Sequence, residues 1–324
     1  MYMIKRLTLL PKLLIGWLVL TILVQLPSAA IAVEKLSSGT TSKQAKKQAI
    51  SSIPFESLTP ETKAKISGIL EKPSIYRRLP ITSIDVDPDM YLFLVRYPEV
   101  LVNIWQIMGV TQMEIERTGP FELKSDDGAG AKSNIELIYG THNKNIYYAE
   151  GTYSGPLLKR KLSGRAVMIL HTKYERGPNG KQRTRNSLDV FVKVENATAG
   201  LIAKTLNPIV GSTADHNFVE TLKFVERLNE TTEQNGVGVQ RMAYRLKNLN
   251  EQVRDQFVQV AGTVYERSAK VQSPAATQPA RNLSNANSLQ RPSYSSLNSQ
   301  LPVNQSNRAI RQSSARDPRQ RLAK

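Results

Sequence analysis

Between residues 113 and 195 apolar and polar side chains alternate with a period of two, a pattern that commits this stretch to an antiparallel sheet with a buried face. Leu188, Val190, Val192 and Val194 oppose Asp189, Phe191, Lys193 and Glu195. Ile135, Leu137 and Tyr139 read as one face of a strand, and Ile146 and Tyr148 alternate with Tyr147 and Ala149. Met113 and Ile115 alternate with Gln112, Glu114 and Glu116. The run Ala166–Leu170 is apolar throughout, which suits a central strand covered on both faces. Gly177-Pro178-Asn179-Gly180 carries the Asn-Gly dipeptide of hairpin turns. Five or six strands in a meander follow from this pattern.

Helical signals bracket the sheet. Thr59-Pro60-Glu61 supplies an N-cap with proline at the first helical position, and that helix stops before Pro73. Ile81–Val86 is strand-like, and Asp87-Pro88-Asp89 starts a helix that Pro98 interrupts. A second helix restarts there, carries Leu101, Ile104, Trp105 and Met108 on one face, and ends at Gly109. Beyond the sheet, Leu201, Ile202, Thr205 and Leu206 mark a helix that breaks at Asn207-Pro208. Phe218, Val219, Leu222, Val225 and Leu228 mark a longer amphipathic helix closed by Asn235-Gly236. Val239, Met242, Leu246, Leu249, Val253 and Val260 then step by three and four, missing a beat at Gln256. Such a coiled-coil-like seam can join copies of the chain, receive a partner helix, or fold back on the domain. Its narrowness favours a homo-oligomer joined through residues 239–264.

The ends of the chain differ from its middle. Lys5, Arg6 and Lys12, the apolar run Leu13–Val24 and the small-residue site Ala30-Ile31-Ala32 have the layout of a secretory signal peptide. Cleavage is expected near Ala32, with the mature chain periplasmic or secreted. An uncleaved anchor is the alternative, but the run falls short of the roughly 20 apolar residues of a spanning helix. The chain has no cysteine, so lipidation of an N-terminal cysteine, disulfides and thiol nucleophiles are all excluded. From Lys270 onward nine basic residues face Asp317 alone, within a Ser-, Asn-, Gln- and Pro-rich composition that cannot build a core. The expected organisation is a signal peptide (1–32), a linker (33–56), an α+β domain (57–235), an amphipathic helix (236–270) and a disordered basic tail (271–324). The tail suits an anionic envelope surface, since arginine pairs readily with phosphate and carboxylate. Export argues against nucleic acid as its partner.

Catalytic signatures are missing. His142, His171 and His216 have no metal-ligand spacing, and no Gly-x-Ser-x-Gly or Gly-x-x-x-x-Gly-Lys motif occurs. Asp126-Asp127-Gly128 lacks the alternating acids and closing glutamate of a calcium loop and reads as a turn. No catalytic residue, metal site or cofactor is expected from these residues.

Strand, two helices, antiparallel meander and long C-terminal helix, in that order, resemble the helix-grip fold of the START-like (SRPBCC) superfamily. The resemblance spans roughly residues 80–230 and includes Tyr97-Pro98-Glu99 followed by Trp105, similar to the helix entry of some members. It implies an antiparallel sheet gripped by the helix Phe218–Leu228, plus one extra amphipathic helix. It also implies a sheet–helix cavity for a lipid-like hydrophobic ligand, with Trp105, Tyr139, Tyr148, Met168, Leu170, Phe218 and Leu222 as the candidate lining. A filled core is the other outcome open to the same pattern. A protein acting through the seam and the basic tail, as an envelope-associated interaction module, is the alternative function.

Overall fold

The structure, a computed structural model, describes residues 38–154, 161–178, 180–195, 198 and 209–272. Helices α1 (Lys43–Ser51) and α2 (Pro60–Glu71) precede strands β1 (Ile75–Arg78) and β2 (Thr82–Asp85). Helices α3 (Pro88–Arg96) and α4 (Pro98–Ile107) follow, then β3 (Glu114–Arg117), β4 (Glu122–Asp126), β5 (Ala131–Gly140), β6 (Lys144–Tyr153), β7 (Leu162–Arg176) and β8 (Gln182–Val194). Two long helices, α5 (Ala214–Ala243) and α6 (Glu251–Gln272), close the described chain. The fold is α+β and helix-grip-like: one antiparallel sheet with a long helix and a further helix packed on it.

Strand order is β1-β8-β7-β6-β5-β4-β3, so β3 to β8 form the expected meander. Strand β8 also pairs with β2, and the two short strands together cover one edge of the sheet. Caps begin the helices where the sequence places them. Thr59 accepts a hydrogen bond from the Thr62 amide, and Asp87 accepts from the amides of Asp89 and Met90. Asp126 and Asp127 accept backbone amides from Gly128, Ala129 and Ala131, so this pair makes a turn. Gly128 and Gly130 hold the positive φ angles that this turn requires.

Both faces of the sheet are covered. On one face Met168, Val190, Leu188 and Ile135 meet α3, α4, α5 and α6 in the larger apolar cluster. On the other, Ile146, Val167, Ile169 and Phe191 meet α1 and α2. This second cover differs from the linker expected over 33–56. Its residues 43–51 form α1, and Ala45 and Ala49 are buried against the sheet. Arg78 fixes the helix, donating to the buried Asp189 carboxylate at 2.9 and 3.1 Å and to Gln48 and the Ala45 carbonyl.

The expected seam is also corrected. Helix α5 does not stop at Asn235-Gly236; Asn235 leaves helical geometry (φ −145°, ψ 60°) and the helix resumes to Ala243. Helix α6 then turns back along it, with Gln240 donating to the Val258 carbonyl. Val239, Leu246, Leu249, Val253, Phe257, Ala261 and Val264 are all buried in the domain's own core. The fold-back reading therefore replaces the homo-oligomer seam over 239–264, because its apolar face is already satisfied within the chain. The expected signal peptide, the expected helix through Leu201–Leu206 and residues 273–324 of the expected tail lie outside the described residues.

Candidate functional site: an apolar cavity under the long helix

Helices α3 and α4 cross one face of the sheet, α5 lies beside them, and the side chains between do not fill the space. A cavity of about 110 Å³ remains. Five of the seven candidate residues line it: Trp105 from α4, Met168 and Leu170 from β7, and Phe218 and Leu222 from α5. Phe218, Leu222 and Val225 share one face of α5 by helical spacing, which is why the amphipathic pattern located them. Trp105 packs on Phe224 with ring centroids 5.3 Å apart.

Tyr139 and Tyr148 lie elsewhere. Both belong to the opposite face, with Tyr148 buried beneath α2 and the Lys65 ammonium 5.1 Å from its ring. The reason is a register shift in β5 between Leu137 and Tyr139, which sends Tyr139 to the other side of the sheet. Strand β6 is apolar on both faces, and its cavity side is presented by Tyr147, paired between Leu137 and Met168. Tyr147 is the aromatic residue that the alternation left unassigned. Its pairing with Met168, a residue already placed on the wall, is the signal that identifies it.

The cavity's polar groups are few. Tyr147 donates its hydroxyl to the Val95 carbonyl. Tyr91 donates to Asn186 Oδ1 at 2.6 Å and meets the Thr172 hydroxyl at 3.2 Å, while Asn186 donates onward to Thr184 at 3.0 Å. Burial pushes the hydroxyl pKa of both tyrosines well above the ordinary phenol value, so both stay protonated near neutral pH. Neither can serve as a base. At the junction of α3 and α4 the buried Glu99 carboxylate accepts two bonds from Arg117, at 2.5 and 2.9 Å. Arg117 also donates to the Arg96 carbonyl and stacks on Tyr97, which pins β3 to this junction.

A wider, open cleft of about 1080 Å³ is lined by charged residues that pair with one another, including Arg117 with Glu99, Lys132 with Asp126 and Arg165 with Glu195. Six of its charged residues are held in these three pairs, and the smaller apolar cavity, which gathers five of the seven candidate residues, is the better-defined site. Among the described residues no group of three His, Asp or Glu side chains could hold a metal ion. His142 stacks on Tyr174, His171 contacts Ser52, and His216 lies in the first turn of α5.

No protein-family model and no curated protein matches this chain. Similar solved structures include an uncharacterized protein from Rhizobium leguminosarum (13% identity, 46% of this chain, 95% of that one, TM-score 0.28). The di-domain ARO/CYC BexL from the BE-7585A biosynthetic pathway is 16% identical over 50% of this chain and 52% of its own length, with a TM-score of 0.25. Ara h 8.0201 is 12% identical over 45% of this chain and 97% of its own, with a TM-score of 0.26. The helix-grip-like description rests on the strand order and helix placement above, not on these likenesses.

Proposed function

We propose that this chain is a non-catalytic, exported protein that binds a small hydrophobic ligand in the cavity beneath α5. One observation carries the binding reading: a partly open apolar cavity of about 110 Å³ set against an otherwise well-buried core. Protein interiors pack as densely as organic crystals. A void of this size forfeits dispersion contacts along its walls, and an apolar occupant restores them.

Volume narrows the class of occupant. Sites for drug-sized ligands typically run from about 300 to 1,000 Å³, so a whole lipid does not fit this one. An apolar cavity of about 150 Å³ accepts benzene or xenon. The ligand is therefore a single small ring or a short aliphatic group, smaller than the lipid-like molecule expected from the sequence.

Titration of the full chain with xenon and with benzene, followed by nuclear magnetic resonance, tests the proposal. Shifts should concentrate at Met168, Leu222 and Val225, and benzene should raise the melting temperature. Leu222→Phe should fill the space and abolish both responses while the protein stays folded. No response to either probe in the parent ends the ligand-binding reading. For export, the support is the layout of residues 1–32. N-terminal sequencing of the exported protein should begin at Val33, and an intact Met1 in the membrane fraction would defeat it.

A further inference from the structure

Six large apolar side chains are exposed among the described residues, and three of them belong to one corner of the domain. Ile107 is 40% exposed, Met108 53% and Tyr244 64%. Ile107 and Met108 end α4, and Gly109 then turns the chain with a φ of 70°. Tyr244 opens the turn from α5 to α6. Asn248 ties this turn to α4, donating its amide to Asn103 Oδ1 at 3.2 Å and its side chain to Gln106 Oε1 at 3.4 Å. The last turn of α4 and the α5–α6 turn are therefore neighbours.

The free charge at this corner has one sign. Arg241, Arg245 and Lys247 are exposed, and among the described residues none of the three has an ion pair or a side-chain hydrogen bond. Arg254 is committed to the turn itself, donating to the Leu246 and Leu249 carbonyls. Glu251 is the only acid between residues 241 and 254, and residues 100–113 contain none. Elsewhere exposed bases meet acids, as Lys132 meets Asp126 and Arg267 meets Asp87. The dipole of α5 favours cations at its C-terminal end, which accounts for Arg241 and Arg245. It accounts for neither Lys247 nor the apolar side chains beside them.

We propose that this corner rests on an anionic lipid bilayer. Ile107, Met108 and the Tyr244 ring enter the headgroup boundary, and Arg241, Arg245 and Lys247 pair with lipid phosphates. Exposed apolar side chains standing singly are ordinary, but a group of them among unpaired bases has the composition of a membrane-surface contact. Tyrosine suits such a boundary, with an apolar ring and a polar tip. A protein partner would need acids placed to match three separate bases, whereas an anionic bilayer presents them everywhere. The proposal stands apart from the ligand-binding reading above.

The chain has no cysteine, so Met108→Cys gives the full-length protein one site for a polarity-sensitive dye. Ser57→Cys, exposed between α1 and α2, is the control. The dye reads the corner itself, so attachment through another part of the chain does not imitate it. On vesicles of equal phosphatidylcholine and phosphatidylglycerol, emission from position 108 should shift to the blue and emission from position 57 should not. Pure phosphatidylcholine should give a much weaker shift. Arg241→Gln, Arg245→Gln and Lys247→Gln together should raise the lipid needed about a hundredfold, about fivefold for each base removed. Ile107→Ser should raise it about tenfold through lost apolar contact. All these side chains are exposed, so each variant should keep the parent's circular dichroism. Equal shifts at both positions, no change in the triple variant, or a dye that stays in water while the chain sediments with vesicles overturns the proposal. A shift that needs no lipid and grows with protein concentration overturns it in favour of a second copy.

Discussion

On the face of the sheet covered by α1 and α2, Ile146, Val167, Ile169 and Phe191 are completely enclosed, whereas the same strands leave about 110 Å³ unfilled on the face covered by α3 to α6. The strands are common to both, so the difference comes from what lies opposite. Small Ala45 and Ala49 let α1 sit close to the sheet. On the cavity face Trp105 packs on Phe224, and the large side chains that line the cavity, Trp105 and Phe218 among them, stop short of closing the space. Alternation along a strand shows that a face is buried; it does not show whether that face is filled.

Truncation should separate the faces most sharply. Phe191→Ala removes a fully enclosed ring and should cost about 3–5 kcal/mol, the ordinary loss for a large core aromatic. Leu222→Ala enlarges a void that already exists, so its cost should fall near the bottom of the roughly 2–5 kcal/mol range for buried leucines. Denaturant unfolding of both variants checks the pair, and an equal loss would mean that the cavity wall is as tightly packed as the other face.

A second comparison concerns pH. On the α1 face His171 Nε2 lies 3.2 Å from the Ser52 hydroxyl, and burial, with Lys144 nearby, lowers its pKa. The folded protein therefore resists protonation more than the unfolded chain, whose histidine titrates near 6.5. This contribution to stability is fully present above that value and is lost as pH falls from it through the lowered folded-state value. Melting temperatures between pH 7 and 5 should fall more steeply for the parent than for His171→Gln. Parallel curves would show that His171 is not the group responsible.

The smallest effect is expected on the cavity face's outer helix. Arg267 pairs with Asp87 at 2.9 Å and Asp89 at 2.7 Å, holding the end of α6 to the first turn of α3. Its side chain is 44% exposed, so Arg267→Ala should cost only about 0.5 kcal/mol after solvent screening. Hydrogen exchange should quicken at the end of α6 and nowhere in α1 or α2. Faster exchange across the α1 face would mean that the two covers are coupled.

These features were unequally legible in the sequence. Thr59 and Asp87 announced their helices because a cap's hydrogen bonds are local. Met168, Phe218 and Leu222 followed from periodicity, since each repeats within one regular element. Alternation misplaces Tyr139 because a register shift changes the face without changing the residues around it. Helix α1 looks like linker in the sequence because its buried face consists of two alanines among lysines and glutamines. Stepping by three and four from Val239 to Val260 misses its beat at Gln256, because the buried side chain there is Phe257, four residues after Val253. Its continuation at Ala261 and Val264 keeps to the 3.6-residue helical period, which points to a core face within one chain.

The hold on the first described residues has a consequence for the order in which the protein can assemble. Gly39 donates its amide to Asp215, Thr40 pairs with Arg78, and Arg78 in turn grasps Asp189. An added Cβ at Gly39 would come within 2.6 Å of Asp215 Oδ1 and 2.7 Å of the Arg78 carbonyl, so the approach is already as close as a backbone permits. The acids that anchor this end, Asp189 and Asp215, therefore leave the ribosome well over a hundred residues after α1 itself. Until then a short, lysine-rich helix lacks the strands β6 to β8 that it packs on, and helices of that length are marginal alone. Closing such distant contacts is slow, because the entropy of the intervening loop is lost before any of them forms. The amino-terminal end of this domain is made first and can be completed only among the last.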